Sequence, residues 1–116
     1  IGTMRDDARS HDSRFLLATF SSAVVVYPDP GERSRLLELA RIADPLYPGR
    51  RLDRLAAGEQ IPAVGLTEPM QQHAEAHRCF LHGFANTELG AGHWNEHGHE
   101  VAGRLIADWM CPQRSD

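Results

Sequence analysis

Seven of the 116 residues are histidine, and five of them, His77, His82, His93, His97 and His99, fall within the span 77–99. An imidazole changes charge near neutral pH and also ligates metals, so such a concentration points to proton transfer or to metal binding. The metal reading starts from His73 and His77, which stand i and i+4 on one predicted helix, with His93, His97 and His99 following. Their context reads H-A-E-A-H, whereas a zincin needs H-E-x-x-H so that the Glu reaches the metal-bound water. Glu75 is in the wrong register, and Met70 and Ala74 share the face. The pair therefore reads as half-buried, hydrogen-bonded imidazoles, and neither a metal ligand nor a cofactor is expected. Cys79 and Cys111 are far apart without C-x-x-C spacing, which excludes a zinc knuckle and a thioredoxin-type motif and leaves a single disulfide open. All 12 basic residues are Arg, so this chain can supply neither a Schiff-base lysine nor a P-loop lysine.

The proton-transfer reading centres on Gly90-Ala91-Gly92-His93-Trp94-Asn95-Glu96-His97-Gly98-His99. A His that follows a glycine-rich loop and precedes a helix sits where loops assemble active sites at the end of a sheet. The flanking glycines let the backbone place the ring without steric conflict. Asn95 is suited to cap the following helix and fix the loop, and Gly98 allows close packing of the helix start. His97 and His99 read as surface or supporting residues. Trp94 fits either a substrate pocket or the core.

The elements that must position this loop alternate in type. Thr3 to Ser10 is polar and charged, like the end of a helix whose apolar partner residues lie upstream. Arg14 to Phe20 predicts a buried strand, continued by the β-branched run of Ala23 to Tyr27. Asp29-Pro30-Gly31-Glu32 predicts a helix start, with Asp29 as cap, Pro30 in the first turn and Glu32 reaching back to the cap N–H; the helix runs until Pro45. A second helix is expected over Pro48 to Ala57, with Leu52, Leu55 and Ala56 inward and Arg50, Arg51 and Arg54 in solvent. Ile61 to Leu66 predicts another buried strand, and Thr67-Glu68-Pro69 opens a helix to about Arg78. Val101, Ala102, Leu105, Ile106, Trp109 and Met110 form one apolar stripe on a helix from Asn95 to Met110. Strands alternating with amphipathic helices indicate a parallel sheet covered on both faces. So few strands under four helices would leave a long unpaired edge, so further strands are expected before Ile1.

The G-x-G-H-W-N-x-x-G-H block resembles the C-terminal catalytic block of SGNH (GDSL-type) hydrolases. The order Tyr47 to Leu52 helix, strand ending in Leu66, helix, His loop and final helix resembles the last third to half of such a domain. The resemblance implies an α/β fold, a three-layer α/β/α sandwich with a parallel sheet, of which residues 1–116 are the C-terminal portion of a single domain. It also implies serine-type ester hydrolysis with His93 as general base: the imidazole takes the serine proton during attack on an ester carbonyl and returns it to the leaving alcohol.

Two departures from that family shape the expectation. The family carries D-x-x-H, and position 90 here is Gly, so the ring must be oriented by a main-chain oxygen or, as the weaker alternative, by Glu88. The serines present, Ser10, Ser13, Ser21, Ser22, Ser34 and Ser115, lie in no G-D-S or G-x-S-x-G context, so the nucleophile is expected in a missing N-terminal half of the same domain. The expected partner is a small-molecule ester of lipid or carbohydrate type. The 16 acidic residues against 12 basic ones give a net charge of −4, which disfavours nucleic acid. The uncharged stretch Phe15 to Tyr27 is too short to span a bilayer, and Arg5, Arg9 and Arg14 are matched by Asp6, Asp7 and Asp12, leaving no signal-peptide n-region. The alternative reading is a non-catalytic or metal-binding interaction module with a structural histidine-rich loop.

Overall fold

The computed structural model describes residues 1–111. Its elements, in chain order, are α1 (Gly2–Ser10), β1 (Leu17–Thr19), a 3-10 turn (Ala23–Val26), α2 (Pro30–Leu39), α3 (Tyr47–Gly58), β2 (Ala63–Gly65), α4 (Thr67–His77) and α5 (Glu96–Met110). The fold is α/β: β1 and β2 pair in parallel, with Leu17 opposite Ala63, Ala18 opposite Val64 and Thr19 opposite Gly65. The connection between them carries α2 and α3, as a parallel pair requires a crossover. Among the described residues this two-stranded pair is the whole sheet, a simpler arrangement than a three-layer sandwich.

The core is built where α4 and α5 meet the sheet and the 3-10 turn. Val26, Val64, Leu66, Met70, Ala74, Leu81, Val101 and Ala102 form one buried cluster. The valine run is the first correction. Val24 to Val26 does not continue β1 as a strand but coils into the 3-10 turn, burying Val25 and Val26. The Val25 carbonyl accepts from Gln71 Nε2 of α4 at 2.6 Å, so a side chain replaces the ladder bond a strand would have needed.

Helix ends show how much capping chemistry the chain encodes. Asp29 caps α2, accepting from the Glu32 N–H at 2.8 Å. The reciprocal half of the capping box is not made, because the Glu32 carboxylate pairs with Arg35 at 2.9 Å. Helix α2 also ends at Leu39, well before Pro45. Arg41 adopts a left-handed backbone (φ 55°), and the Ile42 N–H bonds back to Leu37 C=O at 2.9 Å, a Schellman closure that stops the helix without a glycine.

Arg50, Arg51 and Arg54 of α3 are exposed as expected, but Leu55 is also largely exposed and Ala56 carries the inward contact. α1 buries no residue and is tied down by Arg5, which bonds the Glu59 carboxylate at 3.0 Å. The apolar stripe of α5 is buried at Val101 and Ala102, half-buried at Leu105 and Ile106, and exposed at Trp109 and Met110. Cys79 and Cys111 are both free thiols. No helix among the described residues is long and apolar enough to cross a membrane.

Candidate active site

Between α4 and α5 the chain makes an irregular excursion whose backbone is pinned at several points. His82 and Trp94 form an antiparallel bridge. The Gly83 N–H donates to the His93 carbonyl at 3.0 Å, Gly90 N–H to His82 C=O at 2.9 Å, and Asn95 N–H to Leu81 C=O at 3.1 Å. The position of His93 is therefore set by main-chain bonds on both sides of it. Asn95 locks the exit: its Oδ1 accepts from the Gly98 N–H at 2.9 Å as the α5 cap, and its Nδ2 donates to the Phe80 carbonyl at 2.9 Å. Gly98 packs on the Leu81 carbonyl so closely that a Cβ there would collide with it. The roles read from sequence for Asn95 and Gly98 match this geometry.

His93 is exposed and lines a cavity of about 1020 Å³. The same cavity is lined by Phe20, Ser21 and Ser22, the residues that leave the carboxyl end of β1. Ligand sites of parallel sheets open at that end. The Phe20 and Trp94 rings, both lining the cavity, touch at a tilt with centroids 4.7 Å apart, and Trp94 meets His99 edge-on at 5.5 Å. Trp94 thus serves both readings given to it, lining the cavity and packing against the core cluster.

Gly90 occupies a position where a side chain would be strained. Its φ is +82°, a backbone conformation that favours glycine, and a Cβ there would lie 2.6 Å from the Tyr27 ring and 3.1 Å from Phe80. Close aromatic packing surrounds this position. Glu88 also lines the cavity. Neither its carboxylate nor a main-chain oxygen hydrogen-bonds the His93 ring among the described residues.

Ser21 and Ser22 share the cavity with His93, a juxtaposition the sequence hinted at only by placing them after a strand. The Ser21 hydroxyl is fully buried without a hydrogen-bond partner, so it cannot reach a substrate carbonyl in this conformation. Ser10, Ser13 and Ser34 are exposed or lie outside this cavity; Ser115 lies outside the described residues.

His82, 5 % exposed, is a buried histidine among the residues that line the cavity. Burial holds its pKa below the ordinary histidine value. An unfolded chain takes up this proton near pH 6.5 and the folded one resists it. The stability His82 contributes is therefore complete above about pH 6.5 and lost as pH falls through the lowered folded value. Urea midpoints measured from pH 7.5 to 5 should decline, and His82→Asn should flatten that decline; an unchanged slope in the variant would remove His82 as its source.

His73 and His77 do lie together on α4, with ring centroids 4.3 Å apart. Burial, and then the neighbouring His77 and His97, lower the His73 pKa. Sequence reasoning missed that α5 brings His97 Nε2 to 3.2 Å from His73 Nε2, and that Cys79 joins them. Nothing in linear spacing signals that convergence, because it depends on how α4 and α5 cross. Compared with known proteins, the chain matches no protein-family model, no curated protein and no solved structure.

Proposed function

We propose that this chain is the C-terminal portion of an SGNH-like α/β/α sandwich that hydrolyses esters, with His93 as general base and the serine nucleophile supplied by polypeptide preceding Ile1. The observation that carries this reading is an exposed imidazole on a glycine-rich loop, facing a large cavity at the carboxyl end of β1. Its backbone is held on both sides by main-chain hydrogen bonds. Holding the backbone in this way supplies part of the preorganisation a proton-shuttling base needs.

In the complete domain the upstream strands pair alongside the two described here, and the serine enters the cavity from the first of them. The imidazole accepts the serine proton as the oxygen attacks the ester carbonyl, then returns it to the departing alcohol. To fix the tautomer in the complete domain, a main-chain oxygen or, as the weaker candidate, Glu88, which lines the same cavity, would have to come within reach of the other ring N–H, a contact not made among the described residues. Phe20 and Trp94 offer an apolar wall to an acyl chain or a sugar face.

The test is labelling with a serine-directed fluorophosphonate. The 116 residues alone should remain unlabelled, and a gene product including the upstream segment should react stoichiometrically at a serine before Ile1. Labelling of Ser21 or Ser22 in the isolated chain would overturn the assignment of the nucleophile, and an unreactive longer product would overturn the hydrolase reading itself.

A further inference from the structure

Away from the His93 cavity, three metal-ligating side chains converge where α4 ends and α5 begins. His73 sits late on α4. Arg78, in a left-handed conformation (φ 48°), closes that helix, and the Cys79 N–H bonds back to Ala74 C=O at 3.1 Å, turning Cys79 alongside the last turn. His97 lies in the first turn of α5. The ligand atoms of the three residues all lie within 4.8 Å of one another, and each residue is half-buried. None of the three lines the cavity that holds His93.

The spacing matches coordination chemistry. Tetrahedral zinc with bonds of about 2.0 Å to nitrogen and about 2.3 Å to sulfur places two nitrogens about 3.3 Å apart and nitrogen and sulfur about 3.6 Å apart. The two Nε2 atoms stand at 3.2 Å. The Cys79 Sγ lies within 4.8 Å of a ring nitrogen of each histidine, close enough to supply a third ligand with one tetrahedral vertex left over.

The far side of His97 is also furnished as a metal-bound imidazole requires. Its Nδ1 faces Glu100 Oε2 at 3.4 Å, and Arg104 holds the other oxygen of that carboxylate at 3.1 Å. A carboxylate on the distal nitrogen fixes the tautomer, leaving the Nε2 lone pair free to ligate. His77, stacked on the His73 ring, stands outside the three-residue group.

We propose that His73, Cys79 and His97 form a site of two imidazole nitrogens and one thiolate sulfur for a borderline-soft divalent transition metal, zinc above all, with the fourth position open to solvent. Two imidazoles and a thiolate suit zinc rather than magnesium or calcium, which take oxygen ligands. On binding, the Cys79 thiol releases its proton to solvent, and His73 and His97 ligate as neutral imidazoles. The metal would bolt the end of α4 to the first turn of α5, the helix that follows directly from the His93 loop. This site stands independently of the ester-hydrolase reading.

Cobalt(II) titration of the 116-residue chain tests it. One equivalent should bind with a thiolate-to-cobalt charge-transfer absorption, and zinc should displace it. Cys79→Ser should remove the absorption. His73→Gln and His97→Gln should each weaken zinc binding by at least about tenfold, and Glu100→Gln by about tenfold through the orientation of His97. His77→Gln, His93→Gln and Cys111→Ser should leave binding within about twofold, against losses of tenfold or more expected from ligand or supporting changes. Absorption that survives Cys79→Ser or disappears with Cys111→Ser overturns the site. Because a ligand variant can disturb folding, X-ray absorption of the zinc-loaded natural sequence gives a second reading: one sulfur and two imidazoles support the proposal, and a shell of oxygen and nitrogen alone overturns it.

Discussion

Replacing His93 by Ala in a protein that carries the upstream nucleophile is expected to lower kcat/KM for an ester by about ten-thousand-fold, with most of the loss in kcat. The effect is large because the imidazole is used twice, as base in acylation and as acid toward the leaving alcohol. Substrate affinity is expected to rest on the rest of the cavity lining, Phe20, Ser21 and Ser22 among it. KM should accordingly move little. Residual turnover above the uncatalysed rate would come from the oxyanion hole and binding. Glu88→Gln separates the two ways of orienting the ring. With a main-chain acceptor the variant stays within about tenfold of the parent; a loss of several orders of magnitude assigns the orienting task to Glu88. Retention of activity within about tenfold by His93→Ala would end the general-base role.

The parts of this structure legible in the sequence are those fixed by local chemistry. Asp29 and Asn95 cap the helices they were expected to cap, and β1 and β2 fall inside the predicted buried runs. Parallel pairing followed from the strand and helix alternation. The departures occur where tertiary contacts outweigh local preference. The Val24 to Val26 run has the composition of a strand, but Gln71 of α4 satisfies the Val25 carbonyl, and Val25 and Val26 bury without a ladder. Helix α2 ends at a left-handed Arg41, a stop signal that composition does not mark. The His73, Cys79 and His97 group leaves no mark in the sequence for the same reason: its members are distant along the chain and meet only because α4 and α5 pack. His93, by contrast, is legible because glycines, a capping Asn and a helix start lie within a few residues of it, although the bonds that pin its loop run back to Leu81, His82 and Gly83.

Installing the aspartate that the resembling family carries, as Gly90→Asp, is expected to destabilise the chain by about 2–4 kcal/mol rather than to improve catalysis. Two causes add. Gly90 has φ +82°, where a Cβ is strained, and that Cβ would sit 2.6 Å from the Tyr27 ring and 3.1 Å from Phe80. Tyr27 and Phe80 pack edge-to-face with centroids 5.3 Å apart, so neither ring can withdraw without giving up the other. Against the roughly 5–15 kcal/mol typical of a whole domain, a loss of about 2–4 kcal/mol is severe. Because the collision begins at Cβ, Gly90→Ala should carry most of the same penalty, with the Asp and Ala variants within about 1 kcal/mol of each other. Urea denaturation at pH 7.5 measures both. If Gly90→Asp instead kept the parent midpoint and raised kcat in the longer protein, the loop would be free to accept the carboxylate and the aromatic packing around Gly90 would not be what excludes it.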